Sequence, residues 1–272
     1  PEGLPAGSPL VVVLHSSGGN SDKIRMETGY GFERLADTHG FAIVYPDAYE
    51  GNWNGCNTIG DYSANTLDID DVGFLTAVVD RLVEDLDVDP DRVFAAGVSR
   101  GGHMAFRLAI EKPVRYRAIA AVAANVPAAE NFKCEAAGRG ASSVMIMNGT
   151  EDPLNPFDGG EVTLFGLYER GRVMSSRESA QYFADLGGVR GEGEAVAVGG
   201  EGKNLVRTRW LGDGGVEIEL DAVNGGGHVF PQPYRRAPRI LGRTPKNFDA
   251  ARLIWEFFDR QTAFPETAEP AR

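Results

Sequence analysis

Gly97-Val98-Ser99-Arg100-Gly101 is a Gly-x-Ser-x-Gly sequence that stands between two apolar segments of different character. Residues 92–96 before it are typical of a buried strand, and residues 102–109 after it have the spacing of an amphipathic helix. A serine on a sharp turn between a strand and a helix has an exposed hydroxyl, and the flanking glycines let the backbone turn tightly. The position of the Gly-x-Ser-x-Gly motif between a strand and a helix, more than the motif itself, predicts that Ser99 is a nucleophile.

Apolar runs typical of buried strands alternate with segments of helical spacing along most of the chain. The strand-like runs are residues 10–14, 41–45, 92–96, 118–123 and 144–147. The helical segments are residues 32–39, 72–83, 102–109, 175–186 and 247–259. That alternation is typical of βαβ units, so we predict an α/β fold with an open, mainly parallel central sheet and helices on both faces. We interpret residues 1–272 as one domain with a frayed tail at about 262–272.

Local signals mark the ends of several elements. Gly40 is predicted to end a helix in the C′ position, and the carboxylates within residues 68–71 are predicted to cap the next helix. Residues 212–215 are predicted to form a hairpin-type turn between two β-like runs, residues 205–211 and 216–220.

Three longer segments lack periodicity. Residues 49–66 are predicted to be an ordered loop over the sheet edge. Residues 153–173, which are rich in proline, glycine and aromatic side chains, are predicted to fold over the carboxyl edge of the sheet. The glycine-rich residues 187–202 are predicted to be the least ordered connection.

Composition restricts the partners that the chain can bind. A formal net charge of -12 at pH 7 argues against nucleic acid and against an anionic membrane surface, because both would repel the chain at long range. No apolar run approaches the ~18 residues that a transmembrane helix needs. The sequence has no metal-ligand cluster, phosphate-binding loop or dinucleotide fingerprint, so we expect no metal and no other cofactor.

The two cysteines, Cys56 and Cys134, are too few for a disulfide framework or a zinc site. Both lie in loop-like sequence. They therefore form either one bridge between two loops or two free thiols.

A serine hydroxyl becomes a strong nucleophile only when a base accepts its proton and a carboxylate orients that base. The chain has four histidines, which are His15, His39, His103 and His228. The first three have ordinary structural explanations, because they lie at a strand end, at a helix end and one turn into the helix after Ser99. His228 follows three glycines in a turn-rich loop that can reach back over the sheet edge. We predict that His228 is the base.

The orienting acid is expected between the serine and the histidine, because the chain order in this architecture is Ser, then Asp or Glu, then His. Asp152 fits best, since it stands just after the strand-like run of residues 144–147. Asp158 lies deeper in the following loop, and Glu151 would point to the opposite side. The alternative is that Asp152 only begins a turn with Pro153.

Acyl transfer also needs hydrogen-bond donors for the developing oxyanion. These donors normally come from the residue after the nucleophile and from the loop after an early strand, here Arg100 and either Ser16 or Ser17. The side chain of Arg100 either reaches an anionic or hydroxylated part of a substrate or forms a surface ion pair. Trp53 is a candidate aromatic wall for a substrate ring, with core packing as the alternative. The loop that carries Phe157 is a second candidate for substrate binding.

The chain resembles the α/β-hydrolase esterases of the polyhydroxybutyrate depolymerase and feruloyl esterase group. The resemblance covers nearly the whole chain. The motifs that carry it are residues 11–15 with the glycine-rich loop behind them, 45–47, 53–54, 70–74, 97–102, 148–153 and 226–228. By this resemblance Ser99 would be the nucleophile, Asp152 the acid and His228 the base, in agreement with the assignment from the residues.

Two positions depart from the pattern of such families. Ser16 stands directly after the strand-end histidine, where glycine is usual, and this changes the geometry expected for the oxyanion loop. Phe230 stands where many members have tryptophan before proline, which keeps an aromatic side chain but alters the pocket.

The resemblance implies a serine esterase that works through an acyl-enzyme on a small-molecule or polymer ester. Feruloyl or acetyl esters of plant polysaccharide are the expected substrates, with short polyesters of the polyhydroxybutyrate type as the alternative. A serine peptidase ranks lower because no propeller domain or extra acidic anchor is visible, and a non-catalytic binding protein ranks lower because all three triad residue types are present. Members are typically secreted, which implies a secreted or periplasmic protein with a Cys56–Cys134 bridge.

Overall fold

The computed structural model describes residues 1–60, 62–138, 140–164, 168–196, 198, 204–212 and 214–261. The predicted frayed tail, residues 262–272, lies outside the described residues, as do Asp213 of the predicted hairpin turn and part of the glycine-rich residues 187–202. The interpretation of the chain as one domain stays a prediction.

The described part of the chain forms one eight-stranded sheet and a separate two-stranded hairpin. The strands in chain order are β1 (Leu10–Leu14), β2 (Ala42–Val44), β3 (Val93–Val98), β4 (Ala118–Val122), β5 (Ser143–Gly149), β6 (Gly160–Leu164), β7 (Tyr168–Val173), β8 (Glu194–Val196), β9 (Leu205–Leu211) and β10 (Glu217–Val223). The order across the large sheet is β2-β1-β3-β4-β5-β10-β9-β8. Its first six strands are parallel, and β9 and β8 complete the edge as antiparallel strands, so the predicted sheet is confirmed.

Seven α-helices lie within the described residues. They are α1 (Ser21–Glu27), α2 (Gly31–His39), α3 (Ser63–Thr66), α4 (Asp71–Leu86), α5 (Arg100–Glu111), α6 (Ser176–Leu186) and α7 (Ala250–Arg260). Asp70 caps α4 as predicted, because its carboxylate accepts a hydrogen bond from the Gly73 N–H at 2.8 Å. Gly40 ends α2 with a φ of 71°, the left-handed conformation predicted for it.

Alternate side chains of the parallel strands enter two separate hydrophobic cores. In β1, Leu10, Val12 and Leu14 face one core, and Val11 and Val13 face the other. The apolar sides of α4, α5 and α6 cover the first core, and those of α2 and α7 cover the second. Helices therefore lie on both faces of the sheet, as the continuous apolar strand sequences predict.

Besides β8, which lies within residues 187–202, three short α-helical or hairpin elements were not predicted from the sequence. Helices α1 and α3 each bury a single side chain, Ile24 and Ala64, so they have too little apolar periodicity to be recognised. The third element is the β6–β7 hairpin, which lies within the segment predicted to fold over the sheet. The last helix begins at Ala250 rather than at 247, because the Asp249 carboxylate accepts the Ala251 N–H and caps it there.

A disulfide bond joins Cys56 to Cys134, and their Cα atoms are 5.0 Å apart. Backbone hydrogen bonds flank it, since the Lys133 N–H donates to the Cys56 carbonyl at 2.8 Å and the Thr58 N–H donates to the Asn131 carbonyl at 2.9 Å. The alternative of two free thiols is thereby excluded in this structure. The bridge holds the loop of residues 49–66 against the segment that follows β4.

The loops after β5 and β10 touch because these two strands are neighbours in the sheet. The Gly226 carbonyl oxygen accepts a hydrogen bond from the Glu151 N–H at 2.9 Å. A Cβ atom on Gly149 would lie 2.2 Å from that same oxygen, which is far inside van der Waals contact. Only glycine fits at position 149, and its small size brings residues 150–153 beside residues 226–228.

Replacing Gly149 with Ala is expected to lower the free energy of unfolding by about 1–3 kcal/mol or more, because the added methyl group overlaps backbone atoms that cannot rotate away. Chemical denaturation measures this difference. Gly214→Ala is the matched control, since a Cβ atom there would have no heavy atom within 4 Å and its unfolding free energy should stay within about 0.5 kcal/mol of wild type. Equal stability of the two variants would contradict the close approach of the loops.

Candidate active site

Ser99 lies on the turn between β3 and α5 in a strained backbone conformation, with φ 53° and ψ -113°. The turn is tight, because a Cβ atom on Gly97 would lie 2.1 Å from the Gly101 carbonyl oxygen. A Cβ atom on Gly101 would in turn lie 2.3 Å from the Leu14 carbonyl oxygen. Both glycines of the Gly-x-Ser-x-Gly sequence are therefore required by backbone packing, and the turn presents the serine hydroxyl at the carboxyl end of the sheet.

Ser99, His228 and Asp152 form one chain of hydrogen bonds. The distance from the Ser99 Oγ to the His228 Nε2 is 2.9 Å, and that from the His228 Nδ1 to the Asp152 Oδ2 is 2.8 Å. Because an ionised carboxylate only accepts hydrogen bonds, Nδ1–H donates to Asp152, and Nε2 is then free to accept the serine proton. The side chain of Asp152 is fully buried, that of His228 is 12% exposed and Ser99 is half-buried, so a ligand can reach the serine and the imidazole but not the carboxylate.

Two further hydrogen bonds fix the carboxylate of Asp152. Its Oδ1 atom accepts the Leu154 and Asn155 N–H groups, each at 2.8 Å, which leaves Oδ2 for His228. The turn that was the alternative explanation for Asp152 is therefore also present. The same carboxylate accepts the N–H groups of the turn through Oδ1 and contacts His228 through Oδ2. On the other side, the His228 N–H donates to the Leu241 carbonyl at 2.7 Å and fixes the loop that carries the imidazole.

The backbone N–H groups expected to hold an oxyanion have no hydrogen-bond acceptor within the described part of the chain. Arg100 is the first residue of α5, so its N–H has no intrahelical acceptor. The N–H groups of Ser16 and Ser17 have no acceptor among the described residues either. All three residues line the same cavity as Ser99 and His228.

His15 organises the loop that carries Ser16. Its Nε2 accepts the Ala48 N–H at 3.1 Å, so its Nδ1–H donates to the Ser16 carbonyl at 2.8 Å. Burial lowers the pKa of this imidazole and keeps it neutral, as this pair of bonds requires. The Ser16 hydroxyl donates to Glu27 at 3.3 Å, and the Ser17 hydroxyl donates to Asn52 at 2.6 Å.

The Arg100 side chain does not form the surface ion pair that was one of its two predicted contacts, and a contact with substrate stays a prediction. It is 3% exposed and donates to three neutral acceptors, the Trp53 carbonyl at 2.7 Å, the Asn57 side chain at 2.5 Å and the Asn65 side chain. Its guanidinium also lies over the Tyr62 ring, 4.4 Å from the centroid. The side chain therefore holds the loop of residues 52–65 against the helix that follows the nucleophile turn.

Trp53 and Phe157 do not line the cavity, so the prediction that they bind substrate is corrected. Trp53 is fully buried, and its indole N–H donates to the His15 carbonyl at 3.1 Å. The alternative of core packing applies to it. Phe157 is half-buried outside the cavity, and it is Leu154 and Asn155 of the same loop that line the wall.

Several titratable side chains that line the cavity were not predicted to lie there, among them His103 and Glu27. His103 lines the cavity beneath Ser99, its Nδ1 has no partner among the described residues, and burial lowers its pKa to about 3. Glu27 lies on α1 within electrostatic reach of His228, and burial raises its carboxyl pKa. No sequence signal pointed to Glu27, because α1 itself has no clear helical pattern.

Asn155 is the least satisfied polar group in the cavity wall. It is 3% exposed, and neither atom of its side-chain amide has a partner among the described residues. Buried amides are nearly always hydrogen-bonded in native proteins. This amide is therefore available to a polar group of a ligand, three residues after Asp152.

The cavity that contains these groups has a volume of about 560 Å³, which is within the range of small-molecule sites. The β6–β7 hairpin forms one wall and residues 230–241 form another. Within the described residues no group of three or more His, Cys, Asp or Glu side chains is arranged to hold a metal ion. The helices in that part of the chain are all too short or too polar to cross a membrane.

Residues 3–160 match the sequence profile of the family described as esterase PHB depolymerase. The protein is 33% identical over 266 residues to NocK of Nocardia uniformis subsp. tsuyamanensis. The match covers 93% of this chain and 75% of NocK, whose esterase activity is itself an assignment. It is 29% identical to feruloyl esterase C of Emericella nidulans, over 69% of this chain and 65% of that protein. It is 31% identical to poly(3-hydroxyalkanoate) depolymerase C of Paucimonas lemoignei, over 45% of this chain and 29% of the depolymerase.

Solved structures support the fold. The acetyl xylan esterase from Aspergillus awamori superimposes with a TM-score of 0.57 at 16% identity, over 84% of this chain and 86% of that one. Esterase PE8 superimposes with a TM-score of 0.55 at 18% identity, over 93% and 94% of the two chains. At such identities the likeness establishes the α/β-hydrolase fold alone. With the profile match over more than half of its length, the chain belongs to the esterase PHB depolymerase family and is a serine carboxylic ester hydrolase.

Proposed function

We propose that Ser99 is the nucleophile, His228 the general base and Asp152 the orienting acid of this hydrolase. The observation that carries the proposal is the pair of hydrogen bonds, 2.9 Å from Ser99 to His228 and 2.8 Å from His228 to Asp152. Distances of this length allow direct proton transfer between serine and imidazole. The strained backbone at Ser99 supports the same assignment, because strain in folded proteins is concentrated at functional sites.

In the acylation step the Ser99 Oγ attacks the ester carbonyl carbon, and its proton passes to the His228 Nε2. The carbonyl oxygen becomes an oxyanion, which the N–H of Arg100 and that of Ser16 or Ser17 stabilise. When the carbon–oxygen bond to the alcohol breaks, the imidazolium returns the proton to the leaving alcohol. Asp152 stays ionised throughout, since its role is to hold the imidazole and stabilise its positive charge.

In the deacylation step water attacks the acyl-enzyme, and His228 accepts its proton. The second tetrahedral intermediate then collapses, the acid departs, and Ser99 recovers its proton from the imidazolium. Each proton transfer involves the same nitrogen atom. His228 must therefore be neutral at the start of both half-reactions.

Feruloyl or acetyl esters of plant polysaccharide are the proposed substrates. The match to feruloyl esterase C and the cavity of about 560 Å³ with apolar walls support an aryl or short acyl group in this site. Short polyesters are the second candidate, supported by the match to poly(3-hydroxyalkanoate) depolymerase C.

Ser99→Ala is expected to lower kcat/KM for methyl ferulate, an aryl acetate and a hydroxybutyrate trimer by about 10⁴-fold or more, because no other group can form the acyl-enzyme. Among the three substrates, wild type should prefer the ferulate and the acetate. Ser21→Ala, at the start of α1 and outside the cavity, is the control and should retain wild-type rates. A Ser99→Ala enzyme with full activity would refute the nucleophile, and a preference for the trimer would favour the polyester.

The rate kcat/KM is expected to fall as the pH decreases through the range in which an imidazole takes up a proton, because the protonated His228 cannot accept the serine proton. His103 does not contribute, since burial lowers its pKa to about 3 and it is already neutral. Glu27 faces His228, so Glu27→Gln should change the position of the acid limb but not remove it. A pH profile that is flat down to about pH 4, or that loses its acid limb in Glu27→Gln, would contradict His228 as the base.

We also propose that the protein acts in an oxidising compartment, as a secreted or periplasmic enzyme. The support is the Cys56–Cys134 disulfide, because disulfides persist outside the reducing cytosol. A chain isolated without reductant should have no free thiol by mass spectrometry. The double variant Cys56→Ser/Cys134→Ser should lose about 2–5 kcal/mol of unfolding free energy. Two free thiols in the isolated protein, or a variant as stable as wild type, would contradict the proposal.

A further inference from the structure

The cavity has the opposite charge to the molecule. The chain has a formal net charge of -12. The cationic side chains that line the cavity are Lys23, Arg100, Arg170, Arg172, Arg235 and Arg236. Among the described residues, Glu27 is the only one with a carboxyl group that lines it. One acidic side chain therefore faces six cationic ones.

Unlike several arginines outside the cavity, most of these cations form no ion pair with a described carboxylate. Arg172 pairs with Glu130 at 3.5 Å, but both side chains are about 60% exposed. The other five lining cations have no carboxylate within ion-pair distance among the described residues. By contrast, Arg107, Arg207 and Arg209, which lie outside the cavity, each contact at least one acidic side chain within 3.0 Å.

Arg100 adds a buried charge below the mouth of the cavity. Its acceptors are a carbonyl and two side-chain amides, so no carboxylate contacts it directly, although Asp71 interacts with it electrostatically. A fixed positive charge in a concave, partly desolvated site raises the local concentration of anions. Arg170, Arg235 and Arg236, here called the rim arginines, extend this positive field to solvent.

Much of the remaining cavity wall is apolar. Leu154, Val162, Val173, Phe230 and Leu241 line it beside Ser99. A neutral ester would use these walls but would leave the cations without a partner. An ester that has both an apolar chain and a negative charge would use both parts of the cavity.

We propose that this active site selects esters that bear a carboxylate group, which the rim arginines bind while Ser99 attacks the ester carbonyl. The inference rests on the proposed function of Ser99 and deepens it by naming the class of substrate. The guanidinium groups donate charge-assisted hydrogen bonds to the carboxylate, and no covalent step differs from that of a neutral ester. The carboxylate belongs either to the acyl part or to the alcohol part of the ester.

Two matched pairs of substrates distinguish these cases. The acyl-side pair is para-nitrophenyl hydrogen adipate and its methyl ester. The alcohol-side pair is para-acetoxybenzoate and its methyl ester. Each kcat/KM value is divided by the rate constant for hydroxide hydrolysis of the same ester, which removes differences in intrinsic reactivity.

In at least one pair the carboxylate ester is expected to have a normalised kcat/KM about tenfold above that of its neutral partner. This ratio should fall as the ionic strength rises from about 0.01 M to about 1 M, because Arg235 and Arg236 are exposed and salt screens them. The measurement uses the wild-type enzyme, so it does not depend on the folding of a variant.

The double variant Arg235→Gln/Arg236→Gln should lower the ratio toward one. Arg239→Gln is the matched control, because Arg239 is exposed in the same segment but does not line the cavity, and it should keep the wild-type ratio. Thermal melting of both variants should match wild type, since all three side chains are exposed.

The outcomes separate this inference from the proposed function. Hydrolysis of the neutral esters with no preference for a carboxylate in either pair would overturn the inference alone. A preference that neither salt nor the double variant reduces would also overturn it, because the rim arginines would not be its cause. Failure to hydrolyse any of the four esters would overturn the proposed function together with the inference.

Discussion

The contact between the Gly226 carbonyl oxygen and the backbone at Gly149 holds two strand-end loops together, and the proposed catalytic groups depend on it. Asp152 and His228 are 76 residues apart, yet their side chains are 2.8 Å apart because β5 and β10 are neighbours in the sheet. The Glu151 N–H donates to the same oxygen, so a backbone hydrogen bond joins the loop of the acid to the loop of the base. A side chain at position 149 would separate them by the width of a methyl group.

A second constraint organises the other side of the site. The buried guanidinium of Arg100 bonds to the Trp53 carbonyl and to two asparagine side chains, and the disulfide of Cys56 fixes the same loop from outside. The loop has little apolar surface of its own beyond Trp53, so polar and covalent contacts replace hydrophobic packing there. Arg100 thereby links the loop to the nucleophile turn, while its own backbone N–H stays directed at the start of α5 where an oxyanion would bind.

The charge distribution connects the fold to the choice of substrate. The chain has a net charge of -12, whereas the charged side chains that line the described cavity are mainly cationic. We propose that a carboxylate on the substrate offsets the repulsion between these neighbouring cations. On that proposal, the walls formed by the β6–β7 hairpin and by residues 230–241 distinguish one ester from another.

Local sequence determined the α/β class and the order of its main strands and helices, since continuous apolar runs and glycine turns have direct physical meanings. It also singled out Ser99, Asp152 and His228, because each stands just after a strand in the chain order that this architecture requires. Only the tertiary structure decided which side chains line the cavity. Trp53 is buried in the core. Glu27, Asn155 and the rim arginines line the cavity, although the elements that carry them have weak or no periodicity. The reason is that a pattern reports the burial of one element, whereas a cavity wall is formed where several loops meet.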